Sequence, residues 1–295
     1  MAFPMVAIAV LITGVTIVMF GFVGAGFSSR ARAVASTEPG SRNGAVRLVG
    51  PLLAAWWLAA LVLGTSGFFA ANPAGGPRIA WALVPLVVGL ILYAASAAFR
   101  RTIDGTPPEQ LVGVQISRLL GGAFVLGWAL GLVPGIFALP AGLGDLAVGA
   151  AAPFVASLLR KRHPWARRAA VLWNVVGLAD LVMAVTLGVL SAPGRLQRLS
   201  LGAPNTAISA YPFVLVPTVL VPLSVLLHVF SLRGLAMIGL ANRGESDNVS
   251  IYRQIGRARS SVASLEVGAE PPRTQGVGDV ESTRPAPAPH GTRIA

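Results

Sequence analysis

The chain has 295 residues, of which 54% are hydrophobic and only 12% charged, and its mean hydropathy is +0.71. Its apolar residues form uninterrupted blocks of about 20, the length of a transmembrane helix, so the composition excludes a water-soluble domain. The net charge of +12 does not indicate nucleic-acid binding, because the basic residues lie in short runs without interleaved aromatic residues. Membrane lipids with anionic headgroups are the expected counter-charge. The chain has no Cys, which excludes disulfides, thiolate metal sites and cysteine catalysis.

Seven apolar blocks predict an all-α fold, a polytopic transmembrane helical bundle of about seven spans. The predicted spans are 4–26, 48–70, 79–98, 108–138, 140–159, 169–190 and 212–232. No basic residue precedes the first block, and Arg30 and Arg32 follow it, which favours an outward-facing N-terminal anchor over a cleaved signal.

The distribution of Arg and Lys over the connections predicts the orientation of the bundle. With Arg118 left out, the connections of one side carry 19 basic residues and those of the other side carry 3. By the positive-inside rule, the N-terminus lies outside and the C-terminus lies in the cytoplasm. An odd number of spans agrees with that orientation.

The composition changes after the last apolar block, which predicts two regions. Residues 1–238 form the transmembrane domain, and residues 239–295, rich in Pro, Gly, Ser, Arg and Glu, form a disordered cytoplasmic tail. Such a segment cannot bury enough apolar surface to offset the entropy of ordering. The tail either docks a protein partner or only solubilises the C-terminus.

The fourth block contains a basic residue at membrane depth. The stretch Thr106–Glu109, with two prolines and an acidic residue, predicts a helix start, so Arg118 lies about 11 residues into the span and near mid-bilayer. Gln115 lies three residues earlier, on the same face. Because Arg stays charged, a carboxylate must compensate it.

Depth along the last blocks predicts the partners of these two residues. Asp180 lies near mid-bilayer, and Asn174 lies about 9 Å closer to the cytoplasm, at the depth of His228. We therefore expect Arg118 to pair with Asp180, and Asn174, His228 and Gln115 to form a second group.

A second carboxylate, Asp145, lies in the Gly- and Pro-rich stretch 137–149. The block boundaries predict that this stretch is the outer turn between two spans, with Asp145 in the outer half of the membrane and unpaired. A carboxylate at such depth rarely persists without a role, so this one is a candidate proton carrier; the alternative is that it rests protonated or hydrated at the outer mouth. The spacing Gly142-x-x-Asp145 recurs 35 residues later as Gly177-x-x-Asp180.

Other intramembrane chemistries lack their residues, so we predict no catalytic group, metal or cofactor. Ser66 lies in a Gly-x-Ser-Gly motif, but its predicted depth differs from that of His228 by more than about 10 Å, beyond hydrogen-bond reach. The single lysine, Lys161, lies in a predicted loop and cannot form a retinal Schiff base. His228 alone lies within a span, which disfavours haem and metal ligation.

Four motifs together resemble an uncharacterised group of bacterial multi-pass membrane proteins. The motifs are Gln115-x-x-Arg118, the run Phe137–Asp145, Trp173-Asn174-x-x-Gly177-x-x-Asp180 and Pro222-Leu-x-x-Leu-Leu-His228. The resemblance covers roughly residues 110–235. It implies a multi-pass protein of the bacterial inner membrane and no particular activity.

Two functions fit the sequence. The first is a small-solute or proton-coupled permease in which Asp145 or Asp180 titrates and Arg118 binds an anion or balances charge. Three prolines in the last block, which would kink a helix that lines a cavity, agree with it: Pro212, Pro217 and Pro222. The alternative is a non-catalytic scaffold or regulatory subunit with a docking tail, in which the polar residues only hold the helices together. A membrane enzyme acting on lipid is a third class, for which the sequence offers no catalytic constellation.

Overall fold

The computed structural model describes residues 2–37, 49–70 and 78–240, and this part of the chain is helical without a β-strand. The prediction of an all-α helical membrane protein is confirmed. The predicted tail, apart from residues 239 and 240 at the end of the last helix, lies outside the described residues.

The helices are numbered here in chain order. They are α1 Ala2–Thr37, α2 Val49–Thr65, α3 Val84–Ala95, α4 Ala97–Asp104, α5 Pro108–Val114, α6 Gly122–Ala129, α7 Gly135–Arg160, α8 Ala166–Ser191 and α9 Val216–Leu240. The described residues also contain 3₁₀ segments at Arg78–Leu83, Gln115–Gly121 and Ala207–Ser209, and α9 begins with a π-helical turn at Val216–Leu220.

Six helical segments of the described residues are long and apolar enough to cross a membrane. They are Phe3–Arg30, Arg78–Ala95, Pro108–Ala129, Gly135–Arg160, Ala166–Ser191 and Val216–Leu240. The remaining predicted span corresponds to α2, an apolar helix of 17 residues. At about 1.5 Å per residue it is about 26 Å long, slightly shorter than a typical hydrocarbon core. The count of seven spans and the outward N-terminus stay predictions.

The turn between the fourth and fifth predicted spans lies earlier than the sequence indicated. The chain turns at residues 130–134, where Gly131 has a φ of 71° and Pro134 precedes α7. Pro140, the first residue of the predicted span 140–159, lies inside α7 instead. The stretch 137–149 is therefore helical, and Asp145 lies ten residues into α7, about 15 Å from its start.

Helix α7 is the centre of the polar half of the bundle and packs on the span Pro108–Ala129 and on α8. Glycine permits the close approach of α7 to the span Pro108–Ala129. A side-chain carbon at Gly149 would lie 2.7 Å from the backbone nitrogen of Leu119 and 3.1 Å from the carbonyl carbon of Arg118. Arg118 therefore lies directly against α7.

Proline removes one α-helical donor near the start of α9. Pro222 has no N–H to donate to the carbonyl of Thr218, four residues earlier. The indole of Trp56 on α2 donates to that carbonyl oxygen instead, at 2.8 Å. An unpaired carbonyl is costly inside a membrane, so Trp56 stabilises the start of α9.

We expect Trp56→Phe to lower the free energy of unfolding by about 1–3 kcal/mol, because it leaves the Thr218 carbonyl without this donor. Trp57→Phe is the matched control. Its indole donates to the Thr16 hydroxyl, which keeps its own bond to the Thr13 carbonyl when the indole is removed. Thermal unfolding in detergent should show the larger loss for Trp56→Phe, and equal losses would contradict the role given to Trp56.

Candidate functional site

A buried guanidinium is the centre of the polar half. Arg118, which lies in the 3₁₀ segment between α5 and α6, is only 4% exposed. Its Nε donates to Asp145 Oδ1 at 2.7 Å, and its Nη2 donates to Asp180 Oδ2. Its Nη1 donates to the carbonyl of Gly177 at 3.1 Å and lies 3.1 Å from His228 Nε2. One side chain thus contacts α7, α8 and α9.

Glycines make room for both carboxylates. A side-chain carbon at Gly121, after Arg118 in the 3₁₀ segment, would overlap the side chain of Asp145. A side-chain carbon at Gly144 on α7 would overlap Oδ1 of Asp180 on α8. The 3₁₀ segment therefore approaches α7, and α7 approaches α8, more closely than larger residues at these positions would allow.

The hydrogen bonds of His228 determine its tautomer. Because the Arg118 guanidinium offers only N–H donors, His228 Nε2 must be the acceptor in this pair. Nδ1 then carries the hydrogen and donates to Asn174 Oδ1 at 2.9 Å. The amide nitrogen of Asn174 donates to the Ala170 carbonyl at 2.7 Å and to the Ser231 hydroxyl at 3.1 Å, which agrees with Oδ1 as acceptor. The imidazole is neutral in this arrangement.

We call Arg118, Asp145, Asp180, His228 and Asn174 the charge cluster. All five residues are buried. The cluster contains one cation and two carboxylates, so its charge is −1 when both carboxylates are ionised and zero when one of them binds a proton.

A cavity of about 10 Å³ adjoins the charge cluster, large enough for about one water molecule. Arg118, Asp145, Ser117 and Ser224 contribute to its walls, and the rest of the lining is apolar apart from Gly121. The hydroxyl of Ser117 and the second oxygen of Asp180 are buried and have no hydrogen-bond partner among the described residues. Of these two, only Ser117 lines the cavity, so its hydroxyl is the unpartnered group to which a single water could bind there.

The structure brings Arg118 and Asp180 together, and His228 and Asn174 together, as the sequence indicated. The expectation that Asp145 stays unpaired is wrong, because the earlier turn shifts it to the depth of Arg118.

Gln115 forms no hydrogen bond with His228 in the described part of the chain, contrary to the expected grouping. Its amide nitrogen donates to the carbonyl of Ser224 at 3.0 Å, and its Oε1 has no partner within the described part of the chain. Sequence reasoning also missed Ser231. Its position three residues after His228, on the same helix face, is the signal that could have identified it.

Comparison with known proteins gives a family but no activity. A domain of unknown function, DUF8737, matches residues 76–236, which is more than half of the chain and includes the whole charge cluster. No curated protein matches the chain, and no solved structure matches it.

We expect Gly144→Ala to destabilise the protein, although Gly→Ala in a helix ordinarily stabilises it by up to about 1 kcal/mol. The added methyl group would overlap Asp180 Oδ1 and separate α7 from α8. Gly14→Ala is the matched control, because Gly14 is an exposed glycine of α1 with no atom within 4 Å of the added carbon. Thermal unfolding of both variants tests the contact. A melting temperature of Gly144→Ala at or above that of wild type would contradict it.

Proposed function

The chain belongs to the family of this domain of unknown function, and we propose that it is a proton-coupled permease for a small solute. One observation carries the proposal: a single buried guanidinium binds two buried carboxylates within membrane-spanning segments. The protein itself is a membrane protein of unknown activity. Its location in the inner membrane of a bacterium is part of the proposal.

The proposed proton site follows from the charge of the cluster. A net charge inside a low-dielectric bundle costs several kcal/mol, so the cluster is most stable when one proton makes it neutral. Asp145 and Asp180 bind the same guanidinium and thus share that proton. Its release leaves a charge of −1, which a solute or a conformational change must compensate.

Arg118 acts in this proposal as the resident counter-ion and does not bind the transported solute. A guanidinium has five N–H donors. Four of them point to partners of the protein, namely both carboxylates, the Gly177 carbonyl and the His228 ring. One N–H remains, so a solute anion could accept the paired hydrogen bonds of a guanidinium only by displacing one of these partners.

Helix α9 is the element that we expect to respond to the proton. It contributes His228 to the charge cluster and Ser224 to the wall of the small cavity. Its π-helical turn Val216–Leu220 and Pro222 interrupt the regular hydrogen bonding at its start. Such interruptions allow a helix to change its bend, and π-turns are frequent at functional sites.

Infrared difference spectroscopy of the reconstituted protein tests the shared proton. We expect a C=O stretch of one protonated carboxyl group in wild type. Either Asp145→Asn or Asp180→Asn alone should abolish it, because one guanidinium then faces one carboxylate and the cluster is neutral without a proton. Asp104→Asn is the control, because Asp104 lies outside the candidate spans and pairs with Arg233. A band that persists in both single variants would refute the shared proton.

A thermal-shift screen of metabolites and ions over a range of pH can identify the solute. A compound that stabilises wild type but not Asp180→Asn would identify both the solute and the site. At a concentration 100 times its dissociation constant, such a compound stabilises the folded state by about 2.7 kcal/mol. Addition of this compound should then change the internal pH of proteoliposomes that contain wild type. It should not change the internal pH of proteoliposomes that contain Asp180→Asn.

A membrane scaffold or regulatory subunit is the second candidate, and the four contacts of Arg118 with its own chain favour it. The same contacts that hold a proton also link the Gln115–Gly121 segment to α7, α8 and α9. For this function we expect removal of residues 245–295, which lie outside the described part, to abolish co-purification of a protein partner. An unchanged set of partners would count against the scaffold.

A further inference from the structure

A second, much larger cavity lies on the other side of α9. It has a volume of about 430 Å³ and lies between α1, α2, α3 and α9, with further residues from the α4–α5 region. Its walls are almost entirely apolar and include Phe20, Trp56, Leu92, Leu223 and Phe230. We call it the apolar cleft. A polar solute would lose its hydration there without gaining hydrogen bonds.

The cleft opens sideways through its rim. Three large apolar residues of the rim are exposed although they line the cavity: Phe22 is 65% exposed, Leu52 46% and Val88 41%. Phe22 and Val88 belong to candidate spans, so the opening faces the hydrocarbon of the bilayer. An acyl chain can enter the cleft from the membrane without crossing water.

One end of the cleft carries a positive charge. Arg30 lines this end together with the uncharged side chains of Thr106 and Gln110. The candidate span Phe3–Arg30 has 28 residues and is about 40 Å long, so its end lies beyond the hydrocarbon core at headgroup depth. Arg30 is half-buried and has neither an ion-pair nor a hydrogen-bond partner within the described ranges.

We propose that the apolar cleft binds an anionic lipid, with an acyl chain between α1 and α9 and the anionic headgroup on Arg30. The apolar walls match the chain, and the guanidinium matches a phosphate or a carboxylate, to which it donates paired hydrogen bonds. A zwitterionic headgroup places a positive group close to the same guanidinium and binds less well. The site does not depend on the proposed transport, because none of the charge-cluster residues lines it.

Glycine offers a way to fill the cleft without disturbing the fold. Gly26 lines the cavity, and a side-chain carbon added there would have no atom within 4 Å. Gly26→Leu should therefore occupy the space of the acyl chain. Gly14→Leu is the matched control, because Gly14 has equally open space on the same helix but does not line the cleft.

Native mass spectrometry of the purified full chain in detergent measures the binding. The added probes are phosphatidylglycerol, phosphatidylcholine and oleate, each at the same concentration. We expect wild type to retain one molecule of phosphatidylglycerol or oleate about tenfold better than phosphatidylcholine. Gly26→Leu should reduce this retention about tenfold, whereas Gly14→Leu should leave it unchanged.

Two arginine variants test the headgroup contact. Arg30→Gln should abolish the preference for anionic lipid, whereas Arg168→Gln, at an exposed position outside the cleft, should preserve it. Preferential retention of phosphatidylglycerol assigns a phosphate headgroup, and preferential retention of oleate assigns a free fatty acid. Equal retention by wild type and Gly26→Leu would overturn the proposal, as would an unchanged lipid preference in Arg30→Gln.

Discussion

The polar half of this membrane protein depends on one constraint, the burial of the Arg118 guanidinium inside a helical bundle. A guanidinium does not lose its proton in a protein, so the charge at this depth must be compensated by other groups. Asp145 and Asp180 supply that compensation from two neighbouring helices. The glycines next to these carboxylates follow from the same requirement, because larger residues at 121 and 144 would occupy the space of the carboxyl groups.

The planar guanidinium also fixes the arrangement of the helices around it. Its Nε bond holds α7, its Nη2 bond holds α8, and its Nη1 contact with His228 holds α9. The three N–H directions are fixed relative to one another, and one residue of helical slip rotates a side chain by about 100°. A slip of any of these helices would therefore leave a charged or polar group unpaired inside the bundle. The guanidinium therefore selects the register of these three helices.

Most of the fold could be predicted from the sequence, because blocks of apolar residues of bilayer length leave few alternatives to membrane-spanning helices. The pairing of Arg118 with Asp180 also followed from depth alone. The position of Asp145 could not be predicted in this way, because the sequence contains two possible turns. One is at Gly131 and Pro134, and the other is at Pro140. Membrane helices tolerate internal proline, so α7 continues through Pro140, as it does through Pro153, and the chain turns at Gly131. The partner of Gln115 could not be predicted either, because it is a backbone carbonyl and carbonyls have no sequence signature.

Helix α9 separates the charge cluster from the apolar cleft, and its two faces differ in chemistry accordingly. Ser224, His228 and Ser231, spaced four and three residues apart, face the polar side. Val219, Leu223, Leu226 and Phe230 repeat at similar spacing on the side of the cleft. If α9 takes two positions that differ in their affinity for the proton, a ligand of the cleft that prefers one position must change proton binding. By thermodynamic linkage the proton must then change the affinity for that ligand by the same factor. Such coupling would pass through α9, because its regular hydrogen bonding is interrupted at Pro222 and its Thr218 carbonyl accepts a hydrogen bond from Trp56.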